Sequence, residues 1–350
     1  MKRAKLLVAL VVTIVMVSVW GSTVSAKRIK WKMATSWPAG ILNQKVCDMF
    51  AKEVYDMSGG RLQIKVYPAG KLIGALEVFD AVRMGTIDMA SSTPAYWIGK
   101  TEAADFFRSC VFGMEAIERL AWMYEGEGMA LYEEMYAKFG FGATFPMGIL
   151  WPEVLAWANK PIRSMDDFKG LKFRTSGYWG EILADAGASV VMLPGGEVYE
   201  ALQRNVIDAA EFATPGIDKI LAFYEISTHM LVPGVHQPSS MMDIIISKKS
   251  WKKLPPDLKA IVKNAAMAIT LRSLTIGLVE DTEALEFFKE KGVNIEYLDS
   301  EIQRTLRAKA YALMDQKGAK DPFIKRIWES QKKFHEKVRL HKKLMTPLYE

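Results

Sequence analysis

Glu77-Val78-Phe79-Asp80-Ala81-Val82-Arg83-Met84-Gly85-Thr86-Ile87-Asp88-Met89-Ala90 lies over Glu197-Val198-Tyr199-Glu200-Ala201-Leu202-Gln203-Arg204-Asn205-Val206-Ile207-Asp208-Ala209-Ala210, 120 positions later. Glu, Val, Ala, Ile, Asp and Ala coincide in the two stretches. Each copy reads as a short helix that stops at a residue tolerant of the left-handed C-cap conformation, Gly85 or Asn205, followed by a short strand carrying Ile-Asp. Both copies follow a Pro-x-Gly segment (68–70 and 194–196) and precede Thr-Pro (93–94 and 214–215). Two such units predict two similar α/β lobes with a cleft between them. Ligands of open α/β sheets sit beyond the carboxyl ends of the strands, so the loops after Ile87-Asp88 and Ile207-Asp208 are expected to face that cleft.

The flanking sequence agrees with α/β. Residues 29–34 alternate apolar and basic side chains as a half-buried strand does, and a Thr-Ser-Trp-Pro turn leads into a helix over 42–58 that Gly59-Gly60 ends. Residues 62–67 alternate again and are closed by Pro68-Ala69-Gly70. Beyond Trp251 the chain turns helical and rich in lysine. Helices are expected to start at Leu254-Pro255-Pro256-Asp257 and at Asp299-Ser300-Glu301, where Pro and Asp occupy favoured N-terminal positions. Ile324, Ile327, Trp328, Gln331, Phe334 and Val338 have helical spacing, and the lysines around them read as the solvated face of a long terminal helix.

The chain has 350 residues, half of them apolar, with 46 basic and 40 acidic side chains. That is globular usage and enough length for two domains. The surplus of +6 suggests nucleic acid until it is located: Lys2, Arg3 and Lys5 precede an apolar run over 6–20 and the small residues Val24 and Ala26, the layout of a cleaved secretory signal peptide over 1–26. Removing it leaves 43 basic against 40 acidic residues, a net +3, and nucleic acid is not expected as a partner. The apolar run is short for a membrane span, and no later stretch reads as one. Cys47 and Cys110 sit in apolar contexts, where two buried free thiols are as consistent as a disulfide, and neither their number nor their spacing suggests a metal cluster.

Several chemistries are missing. There is no phosphate loop, dinucleotide fingerprint or nucleophile elbow, and of the four histidines only His229 and His236 lie outside the lysine-rich tail, neither beside a recognisable nucleophile. What remains is a set of polar and aromatic residues in turn-rich surroundings. Arg174 ends a predicted strand before Thr175-Ser176-Gly177, where a guanidinium can take a carboxylate in bidentate fashion. Glu211-Phe212 follows the second repeat unit, and Tyr96-Trp97 stands in the related region of the first.

These residues together resemble the solute-binding proteins of tripartite ATP-independent periplasmic (TRAP) transporters. The resemblance runs from Ala34-Thr35-Ser36-Trp37-Pro38 through Pro94-Ala95-Tyr96-Trp97 and is densest over 166–174, 193–202, 207–212 and 233–238. It implies a two-lobed periplasmic binding protein with long C-terminal helices, lobe 1 over 27–152 plus 241–280 and lobe 2 over 153–240 plus 281–350. It further implies no catalysis, capture of a small organic acid by lobe closure and delivery to an ion-gradient-driven TRAP permease, with a homodimer as a further expectation. By resemblance to the keto-acid branch, Arg174 pairs with the ligand carboxylate of a 2-oxo or 2-hydroxy monocarboxylate. Glu153, Trp157, Tyr96, Trp97, Trp37, Phe212 and His236 complete the expected binding set. A Ca²⁺ or Na⁺ ion would be held by Glu153, Glu211, the Phe212 carbonyl and Gln237, with no organic cofactor.

The sequence departs from the branch pattern: Glu153 stands for Gln, Phe212 for Trp, Val235 for Trp and Gln237 for Glu. The exchange between positions 153 and 237 keeps the carboxylate count, while Phe212 and Val235 alter pocket shape. Alternatives are therefore the same fold serving an aromatic acid, a sugar or an amino acid, a secreted hydrolase with Glu153 and Glu211 as its carboxylate pair, or a sensor subunit of a membrane receptor.

Overall fold

The computed structural model describes residues 28–345, so the predicted leader over 1–26 lies outside the described residues. The first sheet runs in the order β2 (Leu62–Tyr67), β1 (Ile29–Thr35), β3 (Met89–Ser92), β10 (Ser240–Ile246), β4 (Ala143–Leu150). The second runs β11 (Asn294–Tyr297), β9 (His229–Val232), β5 (Ala156–Ala158), β8 (Ala209–Ala210), β6 (Lys172–Arg174), β7 (Ser189–Val191). The repeat is thus a repeat of topology. In each sheet a first strand pairs in parallel with two others, β1 with β2 and β3, β6 with β7 and β8. A strand from elsewhere in the chain then adds antiparallel, β10 beside β3 and β5 beside β8.

The matched residues explain why the motif recurs. The helices Val78–Arg83 and Val198–Gln203 both turn out through left-handed residues, Gly85 at φ +73° and Asn205 at φ +54°. Asp88 and Asp208, expected inside strands, instead precede them. Their carboxylates accept backbone N–H bonds from neighbouring strands, Lys32 N to Asp88 Oδ2 at 2.8 Å and Lys172 N to Asp208 Oδ2 at 2.9 Å. Each Asp completes a ladder where the short strand has not yet begun, so its amide partner is not orphaned.

Three segments cross between the sheets: the link from β4 to β5, the link from β9 to β10, and the helix Pro256–Glu290. That helix starts with Pro at its first position, as expected. Its Thr270 and Ser273 hydroxyls accept N–H bonds from Gly148 and Ile149 of β4 at 3.0 and 2.9 Å, while Asp281 Oδ1 accepts from Gly216 N at 2.9 Å on the other side. One 35-residue helix is thereby fixed to both lobes. It carries an 18-residue window of mean hydropathy 1.2, enough in length and composition to cross a membrane, contrary to the sequence reading; 44% of that window is buried inside the protein.

Terminal helices Ser300–Lys320 and Pro322–Met345 part company. Leu306 and Ala310 of the first join Phe173 and Trp179 in the core of the second sheet. Ile324, Ile327 and Trp328 of the second join Phe106 and Trp122 beside the first sheet, whereas the sequence reading placed all of 281–350 with the second lobe. Cys47 and Cys110 are both buried and free, and burial pushes each thiol up to about 12.

β10 is buried along its whole length and carries one acid, Asp243, whose Oδ2 accepts from Tyr132 Oη at 2.9 Å and Tyr136 Oη at 2.6 Å. Burial pushes its carboxyl up to about 7, against the pull of the two phenols. The folded state therefore favours the protonated form: the contribution to stability is full below the ordinary carboxylate pKa and is lost as the pH rises through about 7. Asp243→Asn should melt progressively higher relative to wild type as the pH is raised from about 5 to about 8 in thermal unfolding. A constant gap would contradict the assignment.

Candidate ligand-binding site

The sheets meet over a small cavity lined from the first lobe by Trp37, Asn43, Thr93, Tyr96 and Arg108, and from the second by Arg174, Ser176, Glu211 and Phe212, with Glu153 and Gln237 from the crossing segments. The space open to the centre of a water-sized sphere is about 30 Å³, room for a ligand of only a few heavy atoms. As expected, the loops that follow β3 and β8 both face this space.

Arg174 ends β6 and is 2% exposed. Its Nε and Nη2 donate to Leu193 O at 3.0 and 2.7 Å, and Nη1 donates to Glu211 O at 2.5 Å. Nη1 also lies 3.4 Å from Glu211 Oε1, and the Phe212 ring lies beneath the guanidinium at 5.5 Å. The loop carbonyls thus fix the fork while Nη1 and Nη2 each keep a second hydrogen. Tyr96 of the opposite lobe is close enough for the Arg174 charge to oppose the rise that burial imposes on its phenol.

Glu153 and Glu211 face each other with His236 between them. Imidazole Nε2 stands 3.5 Å from Glu153 Oε2 and 3.7 Å from Glu211 Oε2, and all three residues are buried. The ring also stacks near Trp179, centroids 5.7 Å apart. At these separations attraction between charges dominates over directed hydrogen bonding. Burial penalises both carboxylates, but their surroundings divide them. For Glu211 the Arg174 charge, His236 and a 2.6 Å bond from Thr175 Oγ1 outweigh burial and hold it down to about 2. For Glu153 burial prevails and its carboxyl is raised. Burial would depress His236, yet the two carboxylates overcome it and raise the imidazole.

Gln237 Nε2 donates to Glu153 Oε2 at 2.6 Å, and Gln237 Oε1 is buried without a partner. The loop that carries His236 and Gln237 reaches Glu153 only because position 234 is glycine; a Cβ there would run into the Glu153 backbone carbonyl. Two oxygen-bearing crossings are thereby pressed together where the lobes join.

Two predicted lining residues lie elsewhere. Trp157 is fully buried in the core, its Nε1 donating to Asp218 Oδ2 at 2.8 Å and its ring against Phe288 at 5.0 Å. Trp97 is likewise in the core, donating to Tyr136 Oη at 2.9 Å and packed on Phe79. Both side chains turn to the apolar side of their elements, which a three-residue strand and a single 3₁₀ turn leave undetermined in sequence. His236 does not line the cavity but touches both carboxylates that do. Arg108 and Asn43 line it without having been expected. Asn43 Oδ1 is buried without a partner at the start of the helix Leu42–Met57, and an unpaired polar atom beside a cavity is a signal only coordinates provide.

Two α/β lobes whose sheets are joined by three crossings and that close over a polar cavity make up a solute-binding protein of the periplasmic type. Residues 33–321 match the family described as bacterial extracellular solute-binding protein, family 7, and the chain belongs to that family. It is 32% identical over 310 residues to the monocarboxylate 2-oxoacid-binding periplasmic protein of Nostoc sp., covering 89% of this chain and 85% of that one. It is also similar to crystal structures of two TRAP periplasmic solute-binding proteins, each 32% identical with a TM-score of 0.88. The Pseudoalteromonas atlantica protein, with bound sodium and pyruvate, matches over 91% of this chain and 97% of its own. The Colwellia psychrerythraea protein, with bound calcium and pyruvate, matches over 91% and 98%.

If Trp157 is a core residue, Trp157→Phe should leave ligand affinity within about twofold of wild type while costing on the order of 1–3 kcal/mol of stability, because Asp218 loses its donor. Denaturant unfolding and titration calorimetry read the two quantities. A large affinity loss without a stability loss would return Trp157 to the cavity.

Proposed function

We propose that the protein is an extracytoplasmic receptor that closes over a small 2-oxo or 2-hydroxy monocarboxylate and delivers it to a TRAP permease, without chemistry on the ligand. The observation that carries this reading is Arg174: a buried guanidinium, braced by three hydrogen bonds to two loop carbonyls, in the wall of a cavity of few-atom size. A carboxylate is the ligand group that such a fork pairs with most favourably. The Nostoc relative's 2-oxoacid specificity and the pyruvate bound in the two crystal structures support the ligand class. Export through a leader cleaved near Ala26 into the periplasm accords with the family description.

The cation reading rests on donor chemistry. Glu153, Glu211 and the unpartnered Gln237 Oε1 converge as oxygen donors, and hard cations such as Ca²⁺ and Na⁺ prefer oxygen. These residues fit, with the Phe212 carbonyl as a further donor. When bound, the ion would offset the two carboxylates and give the ligand's oxygens a positive site to approach. His236, which does not line the cavity, meets both carboxylates from the protein side and offsets part of their charge. The same compactness disfavours the hydrolase reading: Glu153 and Glu211 are both hydrogen-bonded to neighbouring side chains, and an oxygen of each lies within 4.8 Å of the other with His236 against both.

A ligand that binds only the folded protein stabilises it by about 2.7 kcal/mol at a hundredfold excess over Kd. Pyruvate should therefore raise the melting temperature by several degrees, and Arg174→Lys, which keeps the charge but loses the fork, should weaken binding by about 10-fold to 100-fold. Absence of a shift with any small carboxylate would remove the ligand class. Exhaustive chelation in a sodium-free buffer should lower pyruvate affinity, with recovery on adding calcium or sodium; unchanged affinity would exclude the ion.

A further inference from the structure

Beyond the arginine already assigned, the cavity holds a second one. Arg108 ends the first-lobe helix Ala104–Arg108 and is 3% exposed. Its Nε donates to Asp105 Oδ1 at 3.0 Å, and its Nη2 lies 2.9 Å from the same oxygen and 3.5 Å from Ser176 O of the opposite lobe. Among the described residues Nη1 has no acceptor, and Arg108 borders the cavity together with Arg174, Tyr96 and Asn43. The other oxygen of Asp105 accepts from Tyr178 N at 2.6 Å, across the cleft. This contact is made possible by Gly177, which stands at φ +72° and whose Cβ would run into the Asp105 carboxylate.

Asp105 therefore does two things at once: it clamps the Arg108 guanidinium in one orientation and it fastens the first lobe to the start of the second-lobe helix Tyr178–Asp185. Arg108 and Arg174 come from opposite lobes and address the same small space, so they meet different parts of one short ligand. If the carboxylate sits on Arg174, the nearest remaining polar atom of a 2-oxo or 2-hydroxy acid is the oxygen on its second carbon. A guanidinium has donors only, so what it recognises is an acceptor oxygen. A buried donor left unpaired makes a site reject the analogue that lacks the matching group.

We propose that Arg108 binds the oxygen on the second carbon of the ligand and so sets the preference for 2-oxo and 2-hydroxy acids over unsubstituted acids. The inference rests on the carboxylate reading of Arg174. Calorimetry of the mature chain in one fixed cation buffer tests it, with pyruvate and propanoate as probes on wild type, Arg108→Met and Arg108→Lys. Arg108→Met should raise the pyruvate Kd by about 10-fold to 100-fold and the propanoate Kd by less than about threefold, and Arg108→Lys should recover part of the pyruvate loss. Equal losses for the two acids, or wild-type pyruvate affinity in Arg108→Met, would overturn it. Should Arg108→Met fail to fold, the ratio of propanoate to pyruvate Kd in Arg108→Lys decides: a smaller ratio than wild type supports the role and an unchanged one overturns it. Wild type that binds neither acid defeats the carboxylate reading itself, an outcome distinct from both.

Discussion

Burying an ionised guanidinium costs several kcal/mol unless its donors are met, and the architecture around Arg174 is arranged to meet them. Leu193 O and Glu211 O take three of its hydrogens, and the Glu211 carboxylate lies beside it. Those oxygens come from loops at the ends of two strands flanking β6, so the second sheet must hold its register for the arginine to be tolerated at all. The repeat supplies that register. Asp208 closes the ladder at Lys172, two residues before Arg174, as Asp88 does at Lys32 in the first sheet.

The same compensation of charge extends to the crossings between the lobes. Glu153 and His236 belong to the two non-helical crossings, and Glu211 to the loop after β8, so the group that compensates the buried acids is formed where the lobes join. The Asp105–Arg108 pair repeats the logic on the first-lobe side, reaching Tyr178 N in the second. The carboxylate pair, the crossings and the lobe contact are therefore parts of one electrostatic arrangement, in which the cavity stays polar and small because its walls are occupied by partners of one another.

Fold and site were unequally legible in sequence. The repeat could be read because its turns demand particular residues, a left-handed C-cap at Gly85 and Asn205 and a carboxylate one step before each short strand. The place of Arg174 in the cavity wall could be read because a basic residue at a strand end before Thr-Ser-Gly lies at the carboxyl edge of an α/β sheet. Trp37, Tyr96 and Phe212 line the cavity as expected, and the two aromatic assignments that differ do so for a physical reason: Tyr96 and Trp97 are neighbours in one 3₁₀ turn, and only the position of Phe79 and Tyr136 decides which of them is core. Trp157 lies in a strand of three residues, too short for alternation to fix a face. Arg108 carries no sequence signal of its own, because an Asp and an Arg three apart on a short helix have the spacing of an ordinary surface pair. The return of the terminal helix Pro322–Met345 to the first lobe depends on Trp328 finding Phe106, a contact that no local pattern encodes.

The proposed function stands or falls with the position of the ligand's carboxylate. A crystal structure of the protein grown with pyruvate and calcium measures this directly. The carboxylate is expected on the free edge of Arg174, with the ion held by Glu153, Glu211 and Gln237. Pyruvate bound away from Arg174, or an ion outside the Glu153–Glu211 pair, would contradict the proposal.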